Sequence, residues 1–87
     1  MKRYGFHQAE GFTNSLINQT VDSLEALDAL AVKASNALGS KASGYYKCDL
    51  YKDGKRVDRF DLMPSKGSGV DDLGRKPSEV LKAHNLA

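Results

Sequence analysis

Two runs of alternating apolar and polar residues, separated by Asp53-Gly54, fill residues 45 to 63. Tyr46, Cys48 and Leu50 share one parity of the first run, and Phe60 and Leu62 share one parity of the second. Each run therefore offers one apolar edge, as a half-buried strand does. Glycine accepts the positive φ of a tight two-residue turn, so Asp-Gly between such runs predicts a hairpin over 45–62. Val57 has the wrong parity for Phe60. Either Val57 is turned outward or a one-residue bulge between them resets the alternation; the bulge is favoured, because it sets Val57 across from Leu50.

Upstream the period changes. Leu24, Leu27, Ala31, Ala34 and Leu38 recur at three- and four-residue steps, with Leu30 and Ala37 widening the stripe, which predicts an amphipathic helix over 22–38. Asp28, Lys33 and Asn36 fall on its wet side. Asp22 is read as the N-cap, with Glu25 three residues on to return a hydrogen bond, and Gly39 as the stop, followed by a connection over 40–44. Tyr4 and Phe6, then Leu16, Ile17 and Val21, with Phe12 and Gly11 between, predict strands near 3–8 and 14–21. Pro64 cannot donate to a ladder and ends the hairpin. Ser65-Lys66-Gly67-Ser68-Gly69 reads as a flexible connector. Pro77 suits the first turn of a last short helix that carries Val80, Leu81 and Leu86 inward. The expected fold is α+β: an antiparallel sheet of three to four strands packed against one main helix, with a short C-terminal helix, in a single domain spanning 1–87.

A chain of 87 residues buries roughly 60 to 65% of its unfolded surface, enough for one small core. Its 40% hydrophobic and 28% charged content lies within the globular range and away from disorder. The net charge of +2 supplies no global field for phosphate binding, so any such binding rests on local clustering. The single Cys48 excludes an internal disulfide, and His7 and His84 stand apart, with no spacing suited to zinc. No apolar run has signal-peptide or membrane-spanning length. A reducing, cytoplasmic setting is expected, with no cofactor, no metal and no membrane contact.

The hairpin concentrates cations, Lys47, Lys52, Lys55, Arg56 and Arg59, beside Tyr45 and Tyr51. Aromatic rings beside cations suit a single-stranded nucleic acid or a protein interface. Asp49, Asp53, Asp58 and Asp61 run through the same strands, and cross-strand pairing would consume much of that positive charge. The Ser65–Gly69 stretch lacks the spacing of a P-loop, and Asp71 and Asp72 would repel an anion. Asp22, Glu25, Asp28, Asp71 and Asp72 are expected to be solvated or to face helix dipoles, since no calcium-loop spacing joins them. No nucleophile-elbow or paired-carboxylate motif is present, and Cys48 is expected to be buried and inert, so an enzyme is not expected.

Val21-Asp22-Ser23-Leu24-Glu25-Ala26-Leu27, Ala34-Ser35-Asn36-Ala37-Leu38-Gly39 and the 46–62 hairpin cover about half of the chain. In architecture and size they resemble small phage and mobile-element proteins of the anti-CRISPR type. The resemblance implies a non-catalytic inhibitor that occludes a surface on a host defence complex, in the host cytoplasm, as a monomer or homodimer. The expected partner is a protein or ribonucleoprotein complex, met by Tyr45, Tyr51, Lys52, Lys55, Arg56 and Arg59. The alternative is a small nucleic-acid-binding protein using the same basic and aromatic hairpin face.

Overall fold

A computed structural model describes residues 2–8, 16–38 and 44–86. Four strands, β1 (Tyr4–Gln8), β2 (Thr20–Val21), β3 (Tyr46–Lys52) and β4 (Lys55–Leu62), form one antiparallel sheet in the order β2-β1-β3-β4. The main helix α1 (Leu24–Leu38) and the short α2 (Pro77–Ala83) complete the α+β fold. Gly39, most of the 40–44 connection, and Gly11 and Phe12 lie outside the described residues.

The hairpin forms where the alternation places it. Asp53 and Gly54 both have positive φ, 50° and 82°, the combination a type I′ turn requires. A bulge is present, but not where expected: the ladder shifts between Leu50 and Tyr51, so that Leu50 pairs with Asp58 and not with Val57, Tyr51 pairs with Arg56, and Val57 itself is the extra residue. The bulge returns Phe60 and Leu62 to the core face while Val57 stays partly buried against the core rim. The hairpin tip is tied to the start of β1, because the Asp53 N–H donates to the Arg3 carbonyl (2.7 Å) and the Arg3 N–H donates to Asp53 Oδ1 (2.8 Å).

Three other sequence expectations change. The second strand is only Thr20–Val21, because residues 16–19 turn instead of extending: the Gln19 N–H donates to the Ile17 carbonyl at 2.8 Å, and Ile17 is fully buried. Asn18 anchors that turn to β1, accepting the Gln8 N–H and donating to Gln8 Oε1. The α1 cap is Ser23 and not Asp22. The Ser23 hydroxyl accepts the Ala26 N–H at 3.1 Å, one residue later than the Asp-to-Glu box implies. Asp28 is half-buried and not on the wet side. Its carboxylate accepts the Ser78 N–H (3.0 Å) and hydroxyl (2.6 Å), so it ties α1 to the first turn of α2.

Both helices lie on one side of the sheet. Leu27, Leu30, Ala31 and Ala34 of α1 and Val80 and Leu81 of α2 meet Tyr4, Phe6, Tyr46, Cys48, Leu50, Phe60 and Leu62, with Ile17 closing one end. Leu24 and Leu38 pack partly against this core and Ala37 is exposed. Residues 64–69 are a 3-10 turn (Pro64–Lys66) and a return to α1, where the buried Ser35 hydroxyl accepts the Gly69 N–H at 2.8 Å. In α2, Pro77 leads and the Glu79 carboxylate accepts the Lys76 N–H. Among the described residues no helix is long and apolar enough to cross a membrane.

Asp71, expected in solvent, is buried, and so is Asp61. Asp71 is fully buried; Oδ1 accepts the Leu73 and Arg75 N–H groups, and Oδ2 meets the Arg75 guanidinium at 2.7 Å. It fixes the turn after the strand-like bridge between Leu62 and Asp71. Asp61, 2% exposed, is held by Arg59. Burial of each is tolerable because a guanidinium stands beside it.

Candidate functional site

The face of the sheet away from α1 and α2 carries the polar parity of each strand. Reading the ladder partners across it, Thr20, Gly5, Tyr51 and Arg56 form one row, and His7, Asp49 and Arg59 form the next. Lys47 and Asp61 form a third. Tyr45, 50% exposed, precedes β3 on the same parity as Lys47.

The six contact residues expected from sequence are therefore divided by the sheet. Tyr51, Arg56 and Arg59 belong to the outer face, with Tyr45 at its margin. Lys52 and Lys55 pair with each other, and Lys52 also pairs with the buried Tyr4. Their parity is that of the core, so they sit at the hairpin tip beyond the helices. Proximity in sequence had pooled residues that the pleat sends to opposite sides.

Much of the positive charge is neutralised where it lies. Arg56 Nε is 3.0 Å from Asp49 Oδ1, Arg59 pairs with Asp61, and Lys52 Nζ is 3.7 Å from Asp53. Asp58 accepts from His84 Nε2 at 3.0 Å and from the Arg59 N–H at 2.7 Å. Those two bonds, the His84 side chain first, hold its carboxyl below the usual range. The Asp53 carboxyl is lowered chiefly by the Arg3 N–H. No ion pair joins the side chains of Arg3 and Lys47 to a described carboxylate.

The sheet margins are blunted at defined points. On β4, Asp58 covers the Arg59 N–H and the Asp71 bridge covers Leu62; on β1, Asn18 covers the Gln8 N–H. Side chains that occupy edge donors in this way oppose strand addition by a second chain.

Arg3, Gly5, His7 and Thr20, which sequence reasoning missed, join Tyr51 around a notch on the outer face, a cavity of about 440 Å³ also lined by neighbouring β1 residues and Gly54. Glycine at position 5 is obligatory there, since a Cβ would stand 2.6 Å from the Gln19 carbonyl oxygen. A glycine inside a strand pattern is the sequence signal for such a close approach. The His7 and Tyr51 rings meet edge to face, 6.1 Å between centroids and 78° between planes, a favoured aromatic geometry.

Cys48 lies on the opposite, core side. Burial first, and then the nearby Asp61 and Asp49 charges, push its thiol up to about 12, so it is protonated at neutral pH. A thiol reagent should label it at least about a hundredfold more slowly in native protein than in urea-denatured protein. Comparable rates would show that the β3 parity is wrong. Among the described residues no three His, Cys, Asp or Glu side chains converge to hold a metal ion.

No family model, no curated protein and no solved structure matches this chain.

Proposed function

We propose that the protein is a small non-catalytic interaction protein that seats the outer face of its sheet on a macromolecular complex and inhibits it by occupying a working surface. The observation that carries this reading is the placement of Tyr51, His7, Arg56, Arg59 and Lys47 on the face opposite both helices. A hydrogen-bonded sheet holds such side chains with little further ordering on contact, and tyrosine and arginine supply interface energy out of proportion to their number. The architectural resemblance to small phage inhibitors makes a CRISPR effector complex, a ribonucleoprotein of the host cytoplasm, the first partner to try.

Arg59 is unsuited to a charge-reversal test, because a glutamate there would face the buried Asp61. Lys47→Gln with Arg56→Glu changes the same surface without setting a second carboxylate across the ladder from Asp61. In gel filtration with purified effector complexes, the wild-type chain is expected to co-elute stoichiometrically and to suppress target cleavage. The double variant is expected to lose both properties and to keep its melting temperature within a few degrees, as exposed substitutions do. Full inhibition by the folded double variant would remove the outer face from the contact.

A further inference from the structure

The notch beside Tyr51 gives the outer face a more specific chemistry than a flat interface has. Its volume falls within the range of about 300–1,000 Å³ typical of small-ligand sites. Its lining includes an aromatic pair, His7 and Tyr51, together with Thr20 and the cationic Arg3. A planar, partly polar group beside an anion is the complement of that lining.

Charge favours an anionic occupant. The acids nearest the notch are already engaged: Asp49 by Arg56, and Asp53 by the Arg3 N–H and Lys52. Asp22 borders a neighbouring cavity that Arg3 also lines, so Arg3 stands between the two. Lys47, exposed and without a carboxylate partner among the described residues, stands four residues along β3 from Tyr51. That separation is about 13 Å along a strand, a distance a short single-stranded segment covers. Open sheets that present a central aromatic ring to unstacked bases, flanked by cations for the phosphates, are a general solution for binding single strands.

Resting on the reading of the outer face as the contact surface, we propose that this notch takes one nucleobase of a single-stranded nucleic acid. The base lies against the Tyr51 ring, and the phosphodiester backbone runs from Arg3 across the open face to Lys47. The paired guanidinium of Arg56 flanks this path and is not needed for it. A duplex does not fit, because its bases remain stacked on one another and cannot enter the notch.

The test is fluorescence anisotropy of labelled oligothymidylate and oligouridylate, in separate arms, with a duplex of equal length and the full chain as titrant. Binding to one or both single strands is expected, with little response from the duplex. Two phosphate contacts give a slope of about −1.4 in log K against log salt, and Arg3→Ala reduces its magnitude by about 0.7. Tyr51→Ala should weaken binding about 5- to 150-fold, the loss expected for one base–aromatic stack, and Tyr51→Phe should retain it. Thermal melts of the same samples separate a lost contact from a lost fold.

The absence of binding to both single strands at low salt overturns the nucleobase site, as does binding that Tyr51→Ala leaves unchanged in a folded protein. If oligonucleotides fail to bind while Lys47→Gln with Arg56→Glu still abolishes inhibition of an effector complex, this inference alone falls and the outer face remains a protein contact. If oligonucleotides bind as described while that double variant inhibits fully, the nucleobase site stands and the proposed occlusion falls.

Discussion

Phe60→Ala is expected to lower the stability of the protein by about 3–5 kcal/mol. Phe60 is fully buried on the core face of β4, opposite Cys48 on β3, with its ring 5.3 Å from that of Phe6 at a tilt of 43°. Truncation removes the transfer free energy of the ring and leaves a cavity whose walls are pinned by the β3–β4 ladder. It also ends a tilted aromatic contact, a geometry worth about 0.5–1.5 kcal/mol beyond burial alone. A domain of this size has a total stability on the order of 5–15 kcal/mol, so much of the reserve depends on this one side chain. Urea denaturation should show a lower midpoint with an unchanged slope. Leu73→Ala is the control, since Leu73 is 70% exposed and surface changes of that kind cost within about 0.5 kcal/mol. If Phe60→Ala matched the control, the assignment of the core to this face of the sheet would fail.

That core was legible from sequence because its signals are local. The Leu27, Ala31 and Ala34 stripe, the Tyr46, Cys48 and Leu50 parity and the Asp53-Gly54 turn each fit within one element, and the backbone period alone determines which side chains share a face. Even the presence of a bulge could be read, since it corrects a conflict between two runs of the same hairpin. The misreadings arise where the backbone period does not decide. Asp28 is half-buried because Ser78, fifty residues away, donates to it twice. Asp61 and Asp71 are buried because Arg59 and Arg75 stand beside them, and no periodicity announces a buried carboxylate. The cap moved from Asp22 to Ser23 because both residues can cap a helix and the choice depends on how the chain leaves β2.

The candidate site was legible in part for the same reason. That Tyr51 and Lys52 belong to opposite faces was within reach of parity alone, since they alternate along one strand, whereas the outer-face placement of Arg56 and Arg59 depends on the bulge at Val57. The notch could not be anticipated as a unit. Gly5, His7 and Thr20 meet Tyr51 only through the β2-β1-β3 order, and that order is set by long-range pairing. A strand glycine flanked by Tyr4 and Phe6 signalled a close approach without identifying what approaches.

Arg59→Ala is expected to destabilise the protein several times more than Arg56→Ala, although both arginines are exposed and each is paired with an aspartate on the same face. The difference lies in the aspartates. Asp49 is 31% exposed at its side chain and regains water when Arg56 is removed, so that pair contributes less than about 1 kcal/mol. Asp61 is 2% exposed and, among the described residues, its Oδ1 has no hydrogen-bond partner and only Arg59 engages Oδ2. Without the guanidinium, a buried carboxylate is left with neither charge nor hydrogen-bond compensation, the circumstance in which deleting half of an ion pair is most damaging. Asp61→Asn should cost little by comparison, since it removes the charge while keeping the shape and leaves Arg59 free in solvent. Combining it with Arg59→Ala should recover most of the stability that Arg59→Ala alone loses, a non-additivity that a double-mutant cycle of melting temperatures measures directly. Equal effects of Arg59→Ala and Arg56→Ala would show that water reaches Asp61 and that the pair is a surface contact. With the asymmetry in place, Arg59 serves the fold, and loss of activity in an Arg59 variant counts as evidence about the binding face only in the Asp61→Asn background, where removing the arginine no longer strands a charge.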